Sequence, residues 1–119
     1  MRLILMLLLI IVPLSSYGGT LLSIYQQKVT NTTYQIVLLS NEPLAWKIEE
    51  RDMQNIKLFL PGTNNIKMVE NIFPLQLKTN CQTKGCYLNF EFPESVFLEN
   101  VKFRYLHSHA LAVYYDLEQ

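Results

Sequence analysis

Cys81 and Cys86 are the only cysteines of the chain, and Gln82-Thr83-Lys84-Gly85 lies between them. Thiols at this spacing, in a chain sent to an oxidising compartment, close a turn as a local disulfide. The alternatives ask for more: zinc would need two further ligands, and a redox pair usually has two intervening residues. A bridge closing so short a loop stabilises at the lower end of ~2–4 kcal/mol. His107 and His109 flank Ser108 and could converge on a metal, with Glu91 or Asp116 to complete the set. Two ligands do not make a site, and no metal is expected. No serine sits in a Gly-x-Ser-x-Gly turn, so a serine nucleophile of that kind has no place. Glu49, Glu50 and Asp52 cluster at a predicted strand end, where they read as a solvated turn rather than as two acids across a cleft. The chain therefore reads as a non-enzymatic protein without a cofactor.

Binding chemistry has a better footing. Lys102 and Arg104 alternate on the polar face of one predicted strand, and Tyr114 shares the small-residue face of the next with Ala110 and Ala112. A sugar ring wants an exposed aromatic, and its hydroxyls or carboxylates want nearby donors, so Lys102, Arg104 and Tyr114 form the expected ligand-binding patch. Tyr25, Tyr34 and Tyr87 are further aromatics of the same type. Asn31-Thr32-Thr33 matches the N-glycosylation acceptor, which matters only in a eukaryotic secretory pathway.

The elements that must position these residues are strands. Period-two alternation recurs in short runs bounded by Asn, Pro, Gly and Ser, and helical periodicity is weak. Strands are predicted over 21–27, 33–40, 44–50, 56–60, 72–78, 87–92, 96–105 and 110–117, the seventh bulged near Glu99-Asn100. The polar stretch 63–71 is expected to be a loop, with at most a helical turn over 67–71. Pro74 makes the fifth strand an edge or an irregular one. In the sixth strand Leu88, Phe90 and Phe92 oppose Tyr87, Asn89 and Glu91, the cleanest amphipathic pattern in the chain. Residues 34–62 and 87–117 each run strand, proline-containing turn, strand, polar turn, strand. The expectation is an all-β, two-sheet β-sandwich of about eight strands in two similar halves.

Met1-Arg2 followed by an almost unbroken apolar run to Leu14, then Ser15-Ser16-Tyr17-Gly18, reads as a secretory signal peptide over 1–18. The run is shorter than the roughly 20 residues of a membrane span. Cleavage is expected near Gly18-Gly19, leaving no stable span and placing the mature chain in the periplasm or outside the cell; an uncleaved anchor is the alternative. Without Arg2, nine basic residues face ten acidic ones, a formal charge of −1. Phosphate binding needs a dense basic patch, so nucleic acid is not an expected partner. Residues 19–119 are enough for one domain and too few for two independent cores.

The segment Gln35-Ile-Val-Leu-Leu-Ser-Asn-Glu-Pro-Leu-Ala-Trp-Lys-Ile48, continued by Asn55-Ile-Lys-Leu-Phe-Leu-Pro-Gly62, resembles the AMIN domain. That family joins an apolar strand, a proline turn, a strand with an aromatic and a Leu-Pro-Gly ending. Leu111-Ala-Val-Tyr-Tyr-Asp-Leu117 is similar to its closing strand. Phe59 stands where an aspartate is common, and the cysteine turn is not a family feature. The resemblance spans the mature chain. It implies a periplasmic module that binds peptidoglycan or an envelope protein complex, such as a pilus, a secretion channel or a cell-wall amidase.

Overall fold

The computed structural model describes residues 19–117, so the predicted signal segment over 1–18 lies outside the described residues. Those residues form β1 (Gly19–Lys28), β2 (Thr33–Ser40), β3 (Lys47–Asp52), β4 (Asn55–Pro61), β5 (Thr63–Ile66), β6 (Gln76–Cys81), β7 (Gly85–Glu91), β8 (Lys102–His107) and β9 (Ala110–Asp116). A single 3-10 turn, Leu98–Asn100, interrupts the strands. One sheet has the order β5-β1-β2-β9-β8 and the other β3-β4-β7-β6. The all-β sandwich expected from the sequence is the fold, with nine strands among the described residues where eight were predicted.

Alternation puts one face of each sheet inside. Leu21, Ile24, Ile36, Leu38, Leu111, Val113 and Tyr115 from the five-stranded sheet meet Ile56, Leu58, Leu60, Leu88 and Phe90 from the four-stranded one. Burying a Leu, Ile or Phe contributes about 1.5–3 kcal/mol, whereas an exposed ion pair gives about 0–1 kcal/mol. The two ion pairs among the described residues, Lys47–Glu49 and Lys57–Glu50, are both surface pairs, so the apolar core carries the fold. Tyr115, wholly buried, stacks on Tyr34 at 5.4 Å and donates its hydroxyl to Gln26 Oε1. Burial, and then neighbouring Tyr34, push its phenol well above the ordinary range.

The two halves are legible in the topology. From β1 to β4 the chain makes a hairpin in the five-stranded sheet, crosses over, and makes a second hairpin in the four-stranded sheet. From β6 to β9 it does the same with the sheets exchanged. The matching central pairs, β2–β9 and β4–β7, each join one half to the other. The sequence repeat over 34–62 and 87–117 is thus part of a longer one that takes in β1 and β6, with β5 as an extra strand.

Four predicted boundaries are corrected. Leu44–Trp46 is not strand but the first crossing arm. It buries Leu44 and stacks Trp46 on Phe103 at 5.2 Å, and Tyr105 donates its hydroxyl to Leu44 O at 2.6 Å. Val96–Val101 is the second crossing arm, burying Val96 and Val101 on either side of the 3-10 turn. Gln54 fastens it, donating from Nε2 to Pro93 O at 2.6 Å. The loop expected over 63–71 contains β5, parallel to β1, which Gly62 reaches by turning at φ +82°. Beyond it, backbone bonds to Leu21 and Ile24 keep 67–70 extended rather than helical. Ile72–Leu75 is a turn with a cis Phe73–Pro74 bond, so the predicted fifth strand begins only at Gln76.

Candidate functional site

Cys81 and Cys86 are directly opposed across β6 and β7 and joined in a disulfide. Their hairpin packs closely: a Cβ on Gly85 would lie 2.4 Å from Leu60 O and 2.9 Å from Pro61 Cα, so no side chain fits there. A disulfide suits an extracytoplasmic protein. Among the described residues no helix is long and apolar enough to cross a membrane, and no group of three or more His, Cys, Asp and Glu side chains could hold a metal. His109 accepts or donates at Nδ1 with Ser108 Oγ at 3.0 Å, and its backbone N–H donates to His107 Nδ1 at 3.2 Å. The pair thus serves its own two-residue turn.

Lys102, Arg104 and Tyr114 come together on the outer face of the five-stranded sheet. β8 and β9 are antiparallel with Lys102 opposite Tyr114 and Arg104 opposite Ala112. Residues directly opposed share a face, with Cβ atoms about 4.5–5.5 Å apart. Continuing the register through β2 and β1 gives two rows across the face. One runs Lys102, Tyr114, Gln35, Gln27 and the other Arg104, Ala112, Val37, Tyr25. Both cations are exposed and Tyr114 is half-buried.

The first row is a chain of hydrogen bonds. Gln27 donates from Nε2 to Gln35 Oε1, and Gln35 donates from Nε2 to the Tyr114 hydroxyl at 2.8 Å. The Tyr114 oxygen therefore accepts within the protein and keeps its own proton for a ligand. Gln35 is 7% exposed, so its amide is fixed rather than free to turn. At the end of the face Thr33 donates to Asp116 Oδ1. The second row is apolar at its middle, where Val37 and Ala112 are buried between the longer side chains of Tyr25 and Arg104. A ligand on this face meets two cations, a hydroxyl held by the Gln35 amide, and the Tyr25 ring.

Gln27 and Gln35 were not anticipated as site residues. Their signal is the period-two step from Thr33 through Gln35 to Val37, which places Gln35 on the outer face, but only the register of three strands puts it beside Tyr114. The other aromatics separate. Tyr25 belongs to this face. Tyr34 does not, since its ring stacks on Tyr115 in the interior. Tyr87 lies on the other sheet, stacked on Phe59 at 4.6 Å. Glu49, Glu50 and Asp52 sit on β3, an edge strand of the four-stranded sheet, rather than in a turn. The chain matches no family model, no curated protein and no solved structure.

Proposed function

We propose that the protein is an exported, AMIN-like binding module whose five-stranded sheet holds peptidoglycan. The observation that carries this reading is the registered group of Lys102, Arg104 and Tyr114 on one outer sheet face, backed by the Gln27–Gln35 amide chain. Peptidoglycan combines carboxylates on its peptides with hydroxyls and amides on its sugars. Arg104 suits a carboxylate through paired N–H donors, Lys102 adds charge, and Tyr114 offers a hydroxyl proton and a ring edge. The apolar leader, the disulfide and the strand-and-turn pattern over 35–62 support export and the family resemblance. Such a module would localise an envelope assembly to the wall.

A second reading, a secreted protein-binding sandwich such as an inhibitor, chaperone-like or adhesive subunit, draws on β8. This strand ends the five-stranded sheet, and Tyr105 and Leu106 on it are 47% and 46% exposed. An extended partner segment could add to such an edge.

Co-sedimentation of the mature chain with purified sacculi across a salt series separates the two. Retention that survives moderate salt and drops in Arg104→Ala and Tyr114→Ala supports the wall-binding reading. A protein that stays in the supernatant at every salt concentration removes it and leaves the protein-partner reading.

A further inference from the structure

The outer face of the four-stranded sheet forms a groove of about 850 Å³, within the ~300–1,000 Å³ typical of small-ligand sites. Strand register divides its floor into three rows. Tyr87 lies between Phe59 and Asn80; Asn89 lies between Lys57 and Lys78, with Glu50 beyond Lys57; and Asn55 lies between Asp52 and Glu91. The groove thus grades from an aromatic end, through a middle row of two lysines about an amide, to a carboxylate end.

Charge selects the occupant. Four carboxylates, Glu49, Glu50, Asp52 and Glu91, line the groove with two cations, Lys57 and Lys78, and Lys47 pairs with Glu49 at 3.4 Å, which leaves an acidic excess of one. An anion is repelled. Lys57 is already engaged, 4.0 Å from Glu50 and 5.2 Å from the centre of the Tyr87 ring. Its ammonium marks the kind of group this groove accommodates: a cation over an aromatic face with a carboxylate behind it. Among the described residues neither Asp52 nor Glu91 is ion-paired, so the far end has two carboxylates available to a further cation.

Backbone geometry gives an extended peptide no main-chain partner on the groove floor. β4 and β7 form the floor, and both are interior strands whose main-chain groups are paired on each side. A peptide lying across them would leave its own N–H and C=O groups without main-chain partners. A glycan carries its hydrogen-bonding groups around the ring edge, where Asn55, Asn80 and Asn89 can meet them, and it presents a C–H face to the Phe59–Tyr87 stack.

We propose that this groove is a second binding site and that it takes a short chain of amino sugars with free amines. The ring packs against the Phe59–Tyr87 stack in place of the Lys57 ammonium, the hydroxyls pair with the asparagines, and the ammonium groups pair with Asp52 and Glu91. The proposal does not depend on the basic face of the other sheet.

The test is an NMR titration of the mature chain with a fully deacetylated glucosamine tetramer, with the N-acetylated tetramer and penta-lysine as comparison ligands. Amide shifts confined to β3, β4, β6 and β7 are expected, with at least tenfold weaker binding of the acetylated tetramer. Asp52→Asn with Glu91→Gln should weaken binding about tenfold or more, as the loss of charge-assisted hydrogen bonds predicts. Arg104→Ala should leave it unchanged. Absence of shifts at millimolar tetramer overturns the proposal. So does equal binding of the acetylated tetramer, which removes the role of the amine, or equal binding of penta-lysine, which reduces the groove to nonspecific charge. Sacculus binding and tetramer binding can fail separately, because the first is tested with Arg104 and the second with Asp52 and Glu91.

Discussion

The outer faces of the two sheets are built on the same pleat and carry different chemistry. On the five-stranded sheet the middle is sealed: Val37 and Ala112 are buried, and polar groups stand around them at Arg104, Lys102, Tyr114 and Gln35. On the four-stranded sheet every row is polar or aromatic, and the face is hollowed into a groove with an acidic excess. The contrast follows from strand composition. β9 alternates core residues with Ala110 and Ala112, whereas β4 and β7 alternate theirs with Asn55, Lys57, Phe59, Tyr87, Asn89 and Glu91. Small residues leave a flat face whose specificity comes from its rim. Long side chains on the edge strands, Glu50 and Asp52 on one side and Lys78 and Asn80 on the other, flank the interior strands and leave a trough.

The comparison is broken most severely at Gly85. Gly85→Ala drives a Cβ into the backbone of β4, and a loss of about 3 kcal/mol is expected from such overpacking. Thermal unfolding should show it, and amide shifts should spread through β4 and β7 while β2 and β9 keep theirs. An unchanged melting temperature would mean that β4 and β7 can move apart at no cost.

Removing the disulfide by Cys81→Ser with Cys86→Ala is expected to cost about 2 kcal/mol, because the loop it closes is short. Denaturant unfolding gives the number. The groove's aromatic end, next to this hairpin, should loosen, with faster amide exchange at Tyr87 than at Tyr114. Equal exchange at the two tyrosines would show that the bridge does not order the groove.

On the other sheet, Tyr114→Phe removes the acceptor of Gln35 and leaves a buried amide hydrogen without it. The expected loss is about 1 kcal/mol, together with reduced sacculus retention. Lys102→Ala is the mildest change: Lys102 is exposed, so stability should stay within about 0.5 kcal/mol while the salt dependence of retention becomes shallower. A fall in retention at all salt concentrations alike would assign Lys102 a contact rather than a field.

Much of this was legible in the chain. The alternation of Leu88, Phe90 and Phe92 gave β7 its inward face, and the paired proline turns announced the two halves. Lys102, Arg104 and Tyr114 share a face as period two requires. Two of the errors fall at equivalent places in the two halves. Leu44–Trp46 and Val96–Val101 alternate like strands, yet each is an arm that passes from sheet to sheet and drops apolar side chains into the gap. Burial rewards that pattern in a crossing arm as it does in a strand. β5 was invisible for the opposite reason. Thr63-Asn64-Asn65-Ile66 has weak strand character, and its conformation is imposed by the main chain of β1 once Gly62 has turned it alongside. The Gln27–Gln35–Tyr114 chain depends on register between strands far apart in sequence, which no local pattern encodes.

β9 is the last strand of the described chain, yet it lies between β2 and β8 in the interior of its sheet. Its partner β2 is 71 to 83 residues upstream, from the pairing Leu39–Ala110 to the pairing Thr33–Asp116. Contacts so distant in sequence slow folding to roughly the millisecond-to-second range. They also set an order of events: until residues 110–116 are present, β2 and β8 have no strand between them. A chain emerging N-terminus first therefore leaves this sheet incomplete until residues 110–116 are out. Loss of the final strand would remove the middle of the sheet rather than trim its edge.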